Sequence, residues 1–200
     1  MMNKIGVRVF FLVLIWSAIN PKDYLTWIME IAPAIIAFIV LLVTQKRFPL
    51  TNLLYRLILI HCIILMIGGH YTYAEVPLFD WIKNNGYFDR NNYDKIGHFA
   101  QGFVPAIVAR EIIIRHAVLN NQGWLNFFVI SVCLAISAFY ELIEWWGALL
   151  IGQEAEAFLG TQGYIWDTQS DMAYALLGVV LALVTLSQLH NRAIERLHHL

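Results

Sequence analysis

Six stretches of this chain stay apolar for most of the length a helix needs to cross a bilayer, and no other feature constrains its fold as strongly. They lie near residues 5–19, 24–44, 53–69, 96–116, 124–151 and 168–189. A transmembrane helix takes roughly 20 predominantly apolar residues to traverse the hydrocarbon core, and most of these runs approach or exceed that. Composition agrees, with 60% of residues hydrophobic and only 14% charged, against roughly half and a quarter in soluble domains. The expectation is an all-α, polytopic transmembrane helical bundle of about six spans, with residues 1–200 forming one integral membrane domain without internal repeats. A net charge of −1 and the lack of a basic patch exclude a nucleic-acid partner on electrostatic grounds. Cys62 and Cys133 sit inside apolar runs with no CxxC or CxxH spacing. They read as small core residues rather than a disulfide or a zinc site.

The first run is the short one. Its uncharged part covers residues 9–19, and Lys4 and Arg8 precede it as in a signal-peptide n-region. Ser17-Ala18-Ile19-Asn20-Pro21 lacks a small residue at the last position of a cleavage site, so the span is expected to be retained. Charge then orients the bundle. Lys4 and Arg8, then Lys46, Arg47 and Arg56, then Arg110, Arg115 and His116, then Arg192 and Arg196 all fall on one side. Lys22 with Asp23, then Glu75, Asp80, Lys83, Asp89 and Arg90, then Glu154 with Glu156 fall on the other. Basic residues on alternate loops place both termini in the cytoplasm. The 70–93 loop is then external. Its Trp81, Tyr87 and Phe88 suit an aromatic interfacial belt, and its Pro77, Gly86 and Asn91-Asn92 read as turns. A second external loop, residues 152–166, suits a short interfacial or re-entrant segment.

Ionisable residues within spans are costly, about 2.5–3.5 kcal/mol for Asp at a helix centre on insertion scales, and commonly mark function. Asp94 and His98 open the fourth span, Glu141 and Glu144 lie in the fifth, and Asp167 and Asp171 open the sixth. Each pair is three or four residues apart and therefore shares a helix face. At 1.5 Å per residue, His98 and Asp171 lie about one turn, and Glu141 and Glu144 two or three turns, below the outer ends of their helices. Glu30 falls at a similar depth. The pairs converge on one level in the outer half of the membrane.

Structural alternatives stand beside this. Asp94 and Asp167 occupy positions where Asp serves as an N-cap, and His70 reads as interfacial. Capping does not account for His98, Glu141 or Glu144, which a hydrogen-bonded cluster sharing a proton would explain. Glu111 and Arg115 read as an interfacial i,i+4 salt bridge, and Trp145 and Trp146 as an apolar wall beside Glu144.

One His among carboxylates is a hard, oxygen-rich ligand set suited to Mg²⁺, Mn²⁺ or Ca²⁺, and tolerant of Zn²⁺. The expected metal ligands are Asp94, His98, Glu141, Glu144, Asp167 and Asp171, with Glu141 and Glu144 as catalytic carboxylates. Metal-assisted hydrolysis or group transfer on a membrane lipid or envelope precursor is the leading expectation. A proton- or cation-coupled transporter and a non-catalytic scaffold are the alternatives. HExxH, GxSxG, P-loop and GxGxxG motifs are all absent.

The segments Tyr93-Asp94-Lys95-Ile96-Gly97-His98-Phe99, Arg110-Glu111, Glu141-Leu142-Ile143-Glu144-Trp145-Trp146 and the run from Phe158 to Met172 resemble the YjdF-type bacterial inner-membrane proteins over nearly the whole chain. That resemblance implies a polytopic fold in the cytoplasmic (inner) membrane and no particular reaction. More distantly, Asp94-Lys95-x-x-His98, a Glu in the following helix and Asp171 before Gly178 are similar to VanZ-type membrane proteins. Here Glu144 stands where that pattern has Gln, and Met172 and Ala175 depart from its Asp-x-x-x-Asn element. The likeness implies a role at the outer face of the membrane.

Overall fold

The structure, a computed structural model, describes residues 4–119, 121–151 and 161–198. Among these residues all regular structure is helical: α1 Lys4–Ser17, α2 Tyr24–Thr44, α3 Asn52–Tyr71, α4 Pro77–Asn84, α5 Tyr93–Arg115, α6 Gln122–Ile151 and α7 Asp167–His198. Four of these (α2, α3, α6 and α7) are long and apolar enough to cross a membrane. At 14 residues, α1 extends only about 21 Å, short of a hydrocarbon core of about 30 Å.

The helix α5 has the length, 23 residues, but carries Asp94, Lys95, Arg110, Glu111 and Arg115. Burial explains the polarity. It packs against α3, α6 and α7, and four of its five charged side chains are buried along with Gly97, Ala100, Gly102, Ala106 and Ile107. A helix surrounded by protein directs ionisable groups inward rather than toward lipid.

Local chemistry sets the helix ends. Asp23 Oδ1 accepts from the Thr26 amide at 2.6 Å, capping α2, and that bond holds the Asp23 carboxyl below its usual range. Thr51 Oγ1 caps α3 by accepting from the Leu54 amide at 3.3 Å. At its other end α3 stops on Thr72, in the left-handed region at φ 59°, whose amide reaches the Gly68 carbonyl. The 70–93 segment is not all loop. Pro77 begins α4 rather than a turn, because proline at the first helical position gives up only an N–H that has no helical partner. Gly86, at φ +78°, does make the expected turn.

Successive long helices run up and down. At one end the Lys22 amide donates to the His70 carbonyl at 3.0 Å, and His70 Nδ1 lies 3.0 Å from the Ser17 carbonyl, so His70 ties α3 to the end of α1. At the other end Arg115 Nη1 donates to the Pro49 carbonyl at 2.6 Å. Among the described residues three apolar clusters result, the smallest around Tyr73, Val76 and Tyr93, and two of them join the long helices. One joins Leu54, Ile107, Val129, Cys133 and Val179 from α3, α5, α6 and α7. The other joins Phe10, Ile31, Cys62 and Met66 from α1, α2 and α3, with Phe10 stacked on Phe38 at 4.7 Å. Both cysteines are buried and unpaired, as expected. The α5–α7 contact is backbone to backbone: a Cβ on Gly102 would collide with the Ala175 carbonyl, and one on Gly178 with the Phe99 carbonyl. Small residues at such crossings are how membrane helices approach closely.

Candidate functional site

The close α5–α7 crossing brings the polar first turns of both helices together. On α5, Asp94 and His98 share a face, with Asp94 Oδ1 3.3 Å from His98 Nε2. On α7, Asp167 and Asp171 share a face and turn it toward Lys95. The Lys95 ammonium donates to Asp167 Oδ1 at 2.7 Å and to Asp171 Oδ1 at 2.6 Å. Arg90, in the lead-in to α5, donates to the same Asp167 oxygen at 2.7 Å. The lead-ins are tied as well, since Gln162 accepts from the Asn91 amide at 3.0 Å and donates to the Asn91 carbonyl at 2.8 Å.

From α6, Glu141 Oε1 approaches His98 Nδ1 at 3.7 Å. That oxygen is buried and without a hydrogen-bond partner, although Glu141 as a whole is only 8% exposed. Gln101 Oε1 lies 3.2 Å from the same His98 nitrogen. From α2, buried Glu30 accepts from Tyr140 Oη at 3.3 Å. A cavity of about 200 Å³ opens among Glu30, His61, Tyr73, Asp94, His98, Tyr140 and Glu144. That is below the roughly 300–1,000 Å³ of drug-sized ligand pockets, so it accommodates a small polar group rather than a whole lipid.

All six expected site residues meet here, but they divide. One donor atom from each of Asp94, His98 and Asp171 lies within 4.8 Å of the others, and so do atoms of His98, Glu141 and Glu144. Asp167 belongs to neither trio and is occupied by Arg90 and Lys95. Neither Asp94 nor Asp167 acts as a cap. Asn92 holds the cap position of α5 without a side-chain bond, and both aspartates are engaged by cations or by His98 instead. Sequence reasoning missed Lys95, Arg90, Tyr140 and His61. Lys95 carried a readable signal, because a lysine one residue inside a buried pair needs a carboxylate partner. The second external segment falls mostly at 152–160, outside the described residues.

A second buried network closes the opposite end. Glu111 pairs with Arg115 at 3.0 Å, but the pair is not merely interfacial. Glu111 is fully buried, accepts from the Thr51 amide at 2.9 Å and hydroxyl at 2.8 Å, and lies 2.9 Å from His190 Nε2. Arg110 reaches Asn191 Oδ1 at 2.6 Å. This network clamps α3, α5 and α7 together.

A family model described as a predicted membrane protein (DUF2238) matches residues 3–192. The chain is also similar to the inner membrane protein YjdF of Escherichia coli (strain K12), with 53% identity over 185 residues, covering 92% of this chain and 88% of the relative. No solved structure matches, and the VanZ likeness is not part of what these comparisons show. With several membrane-length apolar helices, the protein is an inner-membrane protein, and it belongs to the DUF2238 family of predicted membrane proteins, of which YjdF is a relative.

Proposed function

We propose that the His98–Glu141–Glu144 side of the cluster is a divalent-cation site, through which the protein hydrolyses, or transfers a group on, a membrane lipid or envelope precursor. The observation that carries this is the buried, unpartnered Glu141 Oε1 facing His98 Nδ1. With Nε2 held by Asp94, Nδ1 faces Gln101 Oε1 and Glu141 Oε1, donors that a cation would gather in the carboxylate–histidine–metal arrangement, in which the outer carboxylate fixes the ring. Gln101 Oε1 adds a further hard oxygen. A bound ion would supply an acidified water and polarise an ester or phosphodiester, with Glu144 placed to take a proton. The small cavity suits the reacting group of a lipid, whose tails would remain in the membrane.

In this reading α5 also crosses, and α1 crosses where the bilayer thins around a short helix, making six spans with both termini cytoplasmic and the cluster in the outer half. Lys46, Arg47, Arg56, Arg192 and Arg196 at the opposite end support that orientation. The test is metal analysis of the purified full chain. About one divalent ion per chain is expected, lost in His98→Ala and Glu141→Gln and retained in Asp167→Asn, together with chelator-sensitive turnover of an envelope lipid. Metal-free protein with unchanged lipid turnover would overturn the reading.

A second reading has its own observation. Glu30, Tyr140, His98 and Asp94 form a line of polar side chains across α2, α6 and α5, the arrangement of a proton or cation relay. It predicts ion-dependent flux in proteoliposomes that Glu30→Gln abolishes while bound metal is absent throughout.

A further inference from the structure

The end of the bundle opposite the cluster holds a large basic cavity that neither the polar site nor the buried clamp uses. It measures about 1030 Å³ and lies between the α2–α3 turn and the last turns of α7. Lys46, Arg56, Arg192 and Arg196 line it with Gln45 and Asn52, and no acidic residue does. Among the described residues none of these four cations has a carboxylate partner. Four unneutralised charges facing one space repel each other unless an anion enters.

A second cavity supplies what a free anion would not need. About 460 Å³ opens between α1, α2 and α3, lined by Gly6, Phe10, Phe38, Leu59 and Cys62. The two cavities share Asn52 and Arg56 in their linings, so the cationic space adjoins the apolar one across these side chains. Together they match an amphiphile with a phosphate head and a hydrocarbon tail. Each lies in or just above the usual size range of ligand pockets.

We propose that these adjoining cavities bind one anionic phospholipid, with the phosphodiester among Lys46, Arg56, Arg192 and Arg196 and an acyl chain between α1 and the α2–α3 pair. Basic pockets at helix ends hold anionic head groups in this way. The chain is thereby given a lipid of the leaflet that faces its termini, distinct from any substrate of the polar cluster. The lipid would also fasten α1, which otherwise packs chiefly through α3 and the Phe10–Phe38 stack.

The full chain, purified and delipidated in a non-ionic detergent, is titrated with phosphatidylglycerol, phosphatidylcholine or inorganic phosphate. Bound lipid is read by native mass spectrometry and thermal shift. Phosphatidylglycerol is expected to bind more tightly than phosphatidylcholine, and millimolar phosphate to leave it bound. Neutralising Arg56 and Arg196 together (Arg56→Gln with Arg196→Gln) is expected to weaken phosphatidylglycerol roughly 25-fold, about fivefold per charge. Gly6→Leu fills the apolar cavity. A Cβ there meets only Leu59 at 3.6 Å, so the backbone accepts a side chain at this position, and with the thermal transition retained, binding of both lipids is expected to fall. Equal affinity for the two lipids, or no loss in the double variant, overturns the proposal. So does displacement of the lipid by phosphate, which would make the basic cavity a free-anion site, and so does unchanged binding in Gly6→Leu.

Discussion

Lys95 Nζ lies 2.6 Å from Asp171 Oδ1, and that contact decides how the whole acidic cluster is arranged. The ammonium bridges Asp171 to Asp167 and leaves the carboxylates of α6 to the cavity side. The cluster is therefore two devices side by side: an ion-paired lock between α5 and α7, and an open group around His98. Asp171 sits on the boundary, within reach of both, since its Oδ1 is also 3.8 Å from His98 Nε2.

Removing the cation should thus unlock the helices. Lys95→Met leaves Asp167 with Arg90 alone and Asp171 with no full cation, both in buried positions. Breaking a buried pair by removing one partner costs about 3–5 kcal/mol. A marked loss of stability in thermal or denaturant unfolding is expected, partly restored by adding Asp171→Asn. Unfolding that is unchanged in Lys95→Met would mean that the pairing contributes little.

The clamp at the other end allows a cleaner comparison. Glu111→Gln keeps the size and one acceptor oxygen, whereas Glu111→Ala removes acceptors from the Thr51 amide, the Thr51 hydroxyl and Arg115 together. An unsatisfied buried polar group costs about 1–3 kcal/mol, so the alanine variant is expected to fall well below the glutamine variant in unfolding. His190→Ala should add little to Glu111→Ala, because both act through one network. Full additivity in that double-mutant cycle would show the contacts to be independent.

Much of the polar site was legible because helical periodicity places residues three or four apart on one face. The pairs Asp94/His98, Glu141/Glu144 and Asp167/Asp171 needed no tertiary information. The partners that give each pair its role did need it. Lys95 is 72 and 76 residues from the two aspartates it holds, and Glu111 is 79 from His190, distances over which a sequence period carries nothing. Pro77 was misread for a different reason: the same residue type opens turns and helices, and only the following backbone tells them apart.

The N-cap of α2 offers a pH test outside the apolar spans. The Thr26 amide lowers the Asp23 pKa in the folded chain, so this carboxylate contributes stability that is full above its unfolded value, about 3.9, and is lost as pH falls through the lowered folded value. Asp23→Asn keeps a capping oxygen but does not titrate. Between pH 5 and pH 3 the wild-type chain is therefore expected to lose more stability than Asp23→Asn, while Asp23→Ala is lower by about 1 kcal/mol near neutrality. Parallel wild-type and Asn curves across that range would remove the carboxylate from the account.

The approach of α5 to α7 should control the site from a distance. Gly102 admits the backbone of Ala175 and Gly178 that of Phe99, and a Cβ on Gly102 would stand only 2.9 Å from the Ala175 Cα. Neither backbone can yield without separating the helices. Gly102→Ala, two helical turns from Lys95, is therefore expected to cost about 1–3 kcal/mol, the range for overpacking a well-packed contact. It should also lengthen the Lys95–Asp171 contact and loosen the trio of Asp94, His98 and Asp171. Gly6→Ala is the control, because its added methyl meets ordinary van der Waals space 3.6 Å from Leu59 and replaces glycine by a better helix former. Stability and bound-metal content measured on both variants separate the two effects. A loss confined to Gly102→Ala ties the site to the helix crossing, and equal behaviour of the two variants would break that link.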